Sequence, residues 1–228
     1  SQVVVAGAGG LGCPAAIYLA CAGAGRITIV DCEAVELSNL NRQILHWDED
    51  IGKEKATSAA QKLSKLNHSI QVAPLIERID EDNVRDIIKE ADLVLDALDN
   101  FETRFILNSA CVAEEIPFIH AGIWGLYGEV TTIIPKETPC FACIYPKTAK
   151  ASQERKPFPV FGVTPALMAI IQAMEAIKRK IPIDEINKLE VKNDIARMKE
   201  YPNETFEKHA QSILEKIEKS FKKLGGGK

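Results

Sequence analysis

The stretch Gln2-Val3-Val4-Val5-Ala6-Gly7-Ala8-Gly9-Gly10-Leu11-Gly12 decides the fold. It opens on an apolar run, which marks a strand buried on both faces of a parallel sheet. A glycine turn follows at once. Pro14 then fits the first turn of a helix running to about Ala22, where its missing N–H costs nothing. Arg26-Ile27-Thr28-Ile29-Val30-Asp31 reads as the next strand, ending in a carboxylate. Gly7, Gly9 and Gly12 form G-x-G-x-x-G between strand and helix, which aims backbone N–H groups and a helix N-terminus at a phosphate. Asp31 stands where a ribose hydroxyl is bound in such units. The pattern points to a nucleotide and leaves open whether it is a dinucleotide or ATP.

Outward from this unit the alternation continues. Helical periodicity covers Lys55 to Leu66, Asp82 to Glu90 and Glu102 to Glu115. Strands are predicted at Ile70–Leu75, Leu93–Asp96, Pro117–Ala121 and Glu129–Pro135. Strands alternating with helices give an α/β fold, a mainly parallel sheet covered on both faces. The segment Lys147–Pro159 is polar and reads as a loop. Thr164-Pro165 looks like an N-cap followed by Pro at the first helical position, leading into an apolar helix Ala166–Ile177. In residues 203–224, Phe206, Ala210, Ile213, Leu214, Ile217, Phe221 and Leu224 share one helical face. These signals divide the chain into a nucleotide-binding domain, 1–180, and a C-terminal extension, 181–228.

Composition narrows the function. The 228 residues carry 28 Lys plus Arg against 32 Asp plus Glu, a net charge of −4, which argues against general nucleic-acid binding. Ser1 to Gly25 holds no charged side chain, but its glycines and Pro14 break a membrane span, and no basic n-region precedes it. Six cysteines are too few and too uneven for a secreted scaffold; Cys13, Cys21, Cys32 and Cys111 lie in apolar segments, as reduced buried thiols do. This predicts a cytoplasmic protein. Only Cys140 and Cys143 are close together, as C-x-x-C.

Three further clusters carry chemistry. Ser38-Asn39-Leu40-Asn41-Arg42-Gln43 is a polar loop holding an Arg, and Gly52-Lys53-Glu54-Lys55 adds two Lys. Arg meets phosphate oxygens bidentately and Lys supplies a point charge, a set suited to a triphosphate more than to nicotinamide chemistry. Asp96-Ala97-Leu98-Asp99-Asn100 falls at the carboxyl end of a strand, where ligands bind in such sheets and where a carboxylate can hold magnesium.

Taken together, GAGGLG at Gly7–Gly12, SNLNRQ at Ser38–Gln43, GKEK at Gly52–Lys55, DALDNFETR at Asp96–Arg104, CFAC at Cys140–Cys143 and GVTPALMAIIQAMEAIK at Gly162–Lys178 resemble the ThiF/MoeB/HesA adenylyltransferases of the ubiquitin-activating superfamily. The resemblance covers about residues 2–180. It implies a Rossmann-like sheet extended by additional strands and C-terminal helices, and an ATP site built from Gly7, Gly9, Gly10, Gly12, Asp31, Asn39, Arg42, Gln43, Lys55, Leu98, Asp99 and Asn100. Arg42, Lys55 and Asp99 are the implied catalytic set, with Asp99 serving magnesium. The implied substrate is the C-terminal carboxylate of a ubiquitin-fold sulfur-carrier protein ending in Gly-Gly, and the implied assembly is a homodimer through Gly162–Lys178 and the sheet surface.

The sequence departs from the family pattern in four places. It opens on the first strand, where relatives carry a preceding helical segment whose Arg reaches the other subunit's site. No cysteine follows Cys143, and Phe158 stands about where some relatives have the thioester-forming Cys, so adenylation without a thioester step on this chain is expected. Structural zinc takes four ligands, and Cys140 with Cys143 supplies two; Pro202-Asn203 leads into no second pair, and His209 is the one nearby alternative. The 203–224 helix has no family counterpart; its apolar face covers the domain or meets a partner. Three rival readings stand beside adenylation: a degenerate nucleotide-binding scaffold, a dehydratase of the tRNA threonylcarbamoyl-adenosine type, and a nicotinamide oxidoreductase.

Overall fold

The computed structural model describes residues 1–145 and 160–180. Ser1–Lys180 forms one compact unit. The predicted loop at 147–159 and the amphipathic segment at 203–224 both lie outside the described residues.

Six strands form one sheet in the order β3-β2-β1-β4-β5-β6. They are β1 (Gln2–Ala6), β2 (Arg26–Val30), β3 (Gln71–Leu75), β4 (Leu93–Asp96), β5 (Phe118–Trp124) and β6 (Tyr127–Ile133). The first five are parallel to one another, and β6 runs antiparallel to β5. The crossover helices are α1 (Gly12–Cys21), α2 (Lys55–Leu66), α3 (Val84–Ile88) and α4 (Phe101–Ala113). A short α5 (Phe141–Ile144) and the long α6 (Val163–Lys180) complete the described elements.

The unbroken apolar run of β1 follows from its central place. Val3 and Val5 pack in the core on one face with α1, α2 and α6 residues; Val4 and Ala6 pack in the core on the other face with α3, α4 and α5 residues. A central strand has no solvent face, so period-two alternation is absent. Pro74 is tolerated because β3 is the edge strand, where a missing N–H breaks no ladder. On α6, Ala169, Ala173 and Ala176 are buried small residues that let the helix sit close on the sheet.

Several expectations are sharpened or corrected. β5 and β6 extend into a hairpin, with Trp124 paired to Tyr127 across Gly125-Leu126. Gly125 has φ +60, the conformation a two-residue hairpin turn demands at its first central position. α3 is shorter than the predicted Asp82–Glu90, because Asp80 ties down the preceding turn by accepting the N–H groups of Asp82 and Asn83. α6 begins at Val163, so Thr164 is not its cap but its second residue, its N–H donating to the Phe161 carbonyl. α5 was not anticipated, being only one turn. Of the four scattered cysteines, Cys13 and Cys111 are buried, but Cys21 and Cys32 are exposed. No described helix is long and apolar enough to cross a membrane.

Candidate nucleotide site at the carboxyl ends of the strands

A cleft of about 640 Å³ opens at the carboxyl ends of β1, β2 and β4. Its lining includes Gly7, Gly9, Gly10, Asp31, Asn39, Arg42, Gln43, Lys55, Leu98, Asp99 and Asn100. The structure therefore brings every predicted ATP-site residue except Gly12 to one opening. Gly12 stands just behind it: a Cβ there would lie 1.8 Å from the Gly7 carbonyl oxygen, so this glycine permits the tight approach of turn and helix. Gly7 itself has φ +106, and a Cβ on it would meet the Ala97 carbonyl oxygen at 2.6 Å. Gly9, in contrast, would meet only Gln43 Nε2 at 3.7 Å, which leaves its face open to a ligand.

Asp31 braces this turn. One carboxylate oxygen accepts the Ala8 N–H at 2.8 Å, and the other accepts the Glu33 N–H at 2.8 Å. Asn39 ends a short 3₁₀ turn (Leu37–Asn39), its Oδ1 accepting the Glu36 N–H at 3.0 Å, so much of its polar capacity is structural. Arg42 is half-buried at the cleft, its guanidinium donating to the Ser38 carbonyl and to Asn41 Oδ1, both at 2.9 Å. Gln43 is buried with Oε1 unpartnered. An orphaned buried acceptor lining a cleft is a group awaiting a donor.

Lys55 is the first residue of α2, its side chain 5% exposed, and its ammonium pairs with Glu33 Oε2 at 2.6 Å. The loop before it is stapled: Ala34 bridges Glu54, and the Lys55 N–H donates to the Glu33 carbonyl at 2.9 Å. Behind it, buried Asp50 is paired to Lys53 at 3.1 Å and to Lys62, and accepts the Trp47 N–H at 2.9 Å. Burial would push the Asp50 carboxyl up, but Lys62, the Trp47 N–H and Lys53 hold it well below the ordinary range.

The strand-end segment separates two carboxylates with different duties. Asp99 is exposed and lines the cleft, the place expected of a magnesium carboxylate. Asn100 also lines it, while its Oδ1 caps α4 by accepting the Thr103 N–H at 2.9 Å. Asp96 is fully buried. Its Oδ2 lies 2.6 Å from His120 Nδ1 and 3.2 Å from Arg104 Nε, and its Oδ1 accepts the Leu98 N–H at 3.0 Å. Burial would raise its pKa, but Arg104 and His120 outweigh that and hold it below the ordinary value. Burial would lower the His120 pKa, but the carboxylates of Asp96 and Glu129 raise it overall. Arg104 lines the cleft and donates through Nη2 to the carbonyls of Leu98 and Ala121. On α6, Gln172 Nε2 donates to the Asp96 carbonyl at 2.9 Å and the Ile119 carbonyl at 2.6 Å, clamping the ends of β4 and β5.

Sequence reading missed Glu33, Arg104, Asp96, His120 and Gln172 as supports of the cleft. The available signals were a carboxylate two residues past the strand-end Asp31, and an Arg on the apolar face of α4 eight positions after a buried Asp. Cys140 and Cys143 do come together, sulfur to sulfur at 3.5 Å. That is near the edge of a tetrahedron with metal–sulfur bonds of about 2.3 Å. Among the described residues, however, no group of three or more His, Cys, Asp or Glu converges on a metal position. The pair fits half a zinc site, and neither cysteine lines the cleft. His209 lies outside the described residues.

With this geometry in hand, the likenesses to known proteins are specific. The family model described as ThiF family matches residues 1–215. The chain is 43% identical over 180 residues to the SAMP-activating enzyme E1 of Haloferax volcanii, covering 78% of this chain and 66% of that protein. It is 41% identical over 179 residues to the sulfur carrier protein ThiS adenylyltransferase of Escherichia coli, covering 78% and 71%. The crystal structure of E. coli MccB with ATP superposes with a TM-score of 0.71 at 28% identity, covering 78% of this chain and 55% of that one. The chain thus spans 66% of the length of the first of these relatives, and 39% of the adenylyltransferase and sulfurtransferase MOCS3 of Danio rerio. A family match over residues 1–215 and a relative 41% identical and covered over 71% of its length lead to one conclusion: the chain belongs to the ThiF family.

Proposed function

We infer that this protein binds ATP in the cleft and adenylates the C-terminal carboxylate of a ubiquitin-fold sulfur-carrier protein ending in Gly-Gly, in thiamine or molybdopterin synthesis or a related sulfur pathway. The observation that carries the reading is the convergence in one cleft of the glycine turn, Asp31, Arg42, Lys55 and Asp99. The names of relatives support the substrate class: one activates SAMP, and another adenylates ThiS.

The chemistry asks little of the protein beyond position and charge. The turn N–H groups and the N-terminus of α1 face the phosphates, and Asp31 faces the ribose. A carboxylate oxygen of the carrier attacks the α-phosphorus, the bond from that phosphorus to the bridging oxygen breaks, and pyrophosphate leaves with the electron pair. An acyl-adenylate is the product. The nucleophile is already ionised, so no general base is needed. Carboxylate and α-phosphate repel one another; Lys55 and Arg42 screen that repulsion. Asp99 would hold a magnesium ion, which would supply further charge neutralisation on the phosphates. Arg104 and Asp96 fix the Leu98 carbonyl and N–H, and so the segment that presents Asp99.

The reaction belongs in the cytoplasm, in keeping with six unpaired cysteines. A second copy is the expected partner of α6, whose Val163, Leu167, Ile170 and Met174 are exposed at helical spacing. The test is ATP–pyrophosphate exchange with and without a Gly-Gly-ending ubiquitin-fold protein. Carrier-dependent exchange is expected, and Asp99→Ala abolishes it. ATP binding without any carrier-dependent exchange would replace the enzyme with a nucleotide-holding scaffold, and stimulation by tRNA would move the substrate to a modified base.

A further inference from the structure

The pair Lys55–Glu33 is uneven in a way that bears on the nucleotide. The Lys55 side chain is 5% exposed, whereas that of Glu33 is 68% exposed. Lys55 is also the first residue of α2, where the helix dipole disfavours a cation. A buried ammonium in that position requires a counter-ion, since leaving one partner of a buried pair uncompensated is strongly destabilising. The carboxylate of Glu33 fills that need at 2.6 Å.

The backbone of Glu33 is fixed. Its N–H donates to Asp31 Oδ1 at 2.8 Å, and its carbonyl accepts the Lys55 N–H at 2.9 Å. Its side chain reaches into water on a flexible arm. Of the two partners only Glu33 can leave, because solvent is open to it and closed to Lys55. Both residues line the cleft beside Asp31 and Arg42. A phosphate that approaches Lys55 therefore meets a carboxylate already on it, and two anions on one ammonium repel.

We propose that Glu33 is the resident counter-ion of Lys55, holding the ammonium in place at the cleft in the free protein and yielding it to a nucleotide phosphate on binding. Glu33 thereby tunes affinity for the phosphate chain without touching recognition of the nucleoside. It is a specificity-determining residue that acts through Lys55, and the proposal rests on the reading of the cleft as an ATP site. In the free state Lys55 is screened; in the bound state its charge is spent on phosphate, and Glu33 turns to solvent.

Glu33→Gln removes the competing charge and keeps the length of the arm. Equilibrium binding of ATP, pyrophosphate and adenosine to the full chain is the measurement. The expected result is tighter binding of ATP and pyrophosphate by about three- to tenfold, the range of a partly exposed ion pair released from competition, with adenosine unchanged. The free variant melts lower than wild type, and saturating ATP raises its melting temperature by more than it raises that of wild type. In a Lys55→Met background the gain from Glu33→Gln disappears, because the coupling runs through the ammonium. Equal or weaker ATP binding by Glu33→Gln overturns the proposal, and so does a gain that persists without Lys55, which would mean direct repulsion of phosphate. Should Glu33→Gln not fold, Glu33→Asp, whose shorter arm loosens the pair, gives a smaller shift in the same direction; no shift, or the opposite one, overturns it. Failure of the wild type to bind ATP at all is a different outcome, which removes the reading of the cleft itself.

Discussion

Replacing Asp96 by Asn tests the buried network beneath the cleft. The exchange keeps the size of the side chain and leaves an oxygen to accept the Leu98 N–H, but it removes the charge and turns an NH2 donor toward the Arg104 and His120 nitrogens in place of an acceptor. Two cations lose their counter-ion: Arg104, 6% exposed at 3.2 Å, and His120, 1% exposed at 2.6 Å. Glu129 lies 3.5 Å from His120 Nε2, but that nitrogen makes no aligned hydrogen bond, so Glu129 is a weak substitute. Uncoupling one buried charge pair costs about 3–5 kcal/mol, whereas a solvated pair is worth about 0–1 kcal/mol. Against a typical domain stability of about 5–15 kcal/mol, the larger figure is a major loss. Urea unfolding at neutral pH reads it directly: with a slope of about 2–3 kcal/mol per molar, the midpoint falls by about 1–2.5 M. ATP affinity falls as well, because Arg104 braces the Leu98 carbonyl. A midpoint lowered by less than about 0.3 M, with the slope unchanged, would refute the claim that these charges depend on Asp96.

The same network fixes a pH profile. The Asp96 pKa is depressed, so its contribution is present above the unfolded carboxylate value of about 3.9 and lost as pH falls through the lower folded value. The His120 pKa is raised, so its contribution is complete below about 6.5 and lost as pH rises through the higher folded value. Unfolding free energy should plateau between these limits and decline on both sides, and His120→Gln should flatten the basic side and, having removed one of the groups that hold Asp96 down, weaken the acid side as well; a wild-type profile without a basic decline contradicts a raised His120 pKa. Gly12→Ala should cost at least about 3 kcal/mol in the same unfolding assay, since its Cβ would overlap the Gly7 carbonyl at 1.8 Å, whereas Gly9→Ala should unfold within about 0.5 kcal/mol of wild type and lose ATP affinity. Thiol alkylation followed by mass spectrometry should find Cys140 fastest, because its neighbour Cys143 and nearby donors outweigh burial and lower its pKa. Cys13, which burial pushes up to about 12, and Cys111, pushed up likewise, should be slowest; rapid labelling of Cys13 would disprove its burial behind the turn.

The first strand, the glycine turn and α2 were legible because each is a local signal: an unbroken apolar run, a helix-opening Pro14, and regular periodicity from Lys55 to Leu66. The cleft lining was legible because strand order in such sheets sends the ends of β1, β2 and β4 to one place. What could not be read is what depends on the third dimension. Asp96 and Asp99 look alike in sequence, yet only packing against Arg104 and His120 makes one a buried brace and leaves the other at the opening. Glu33 reads as a surface charge until Lys55, twenty-two residues on, is brought against it. Thr164 resembled a cap because Thr-Pro is a common helix start, but the preceding Phe161-Gly162 turn already feeds the helix.

The central claim is attack of a carrier carboxylate on the α-phosphorus of ATP. Its most direct test is to incubate the protein with a Gly-Gly-ending ubiquitin-fold carrier and ATP labelled in either the α- or the γ-phosphate. Label is expected on the carrier from the α-phosphate only, lost when the carrier's C-terminal carboxylate is amidated and absent with Asp99→Ala. Label transferred from the γ-phosphate, or none from either while ATP remains bound, would contradict it.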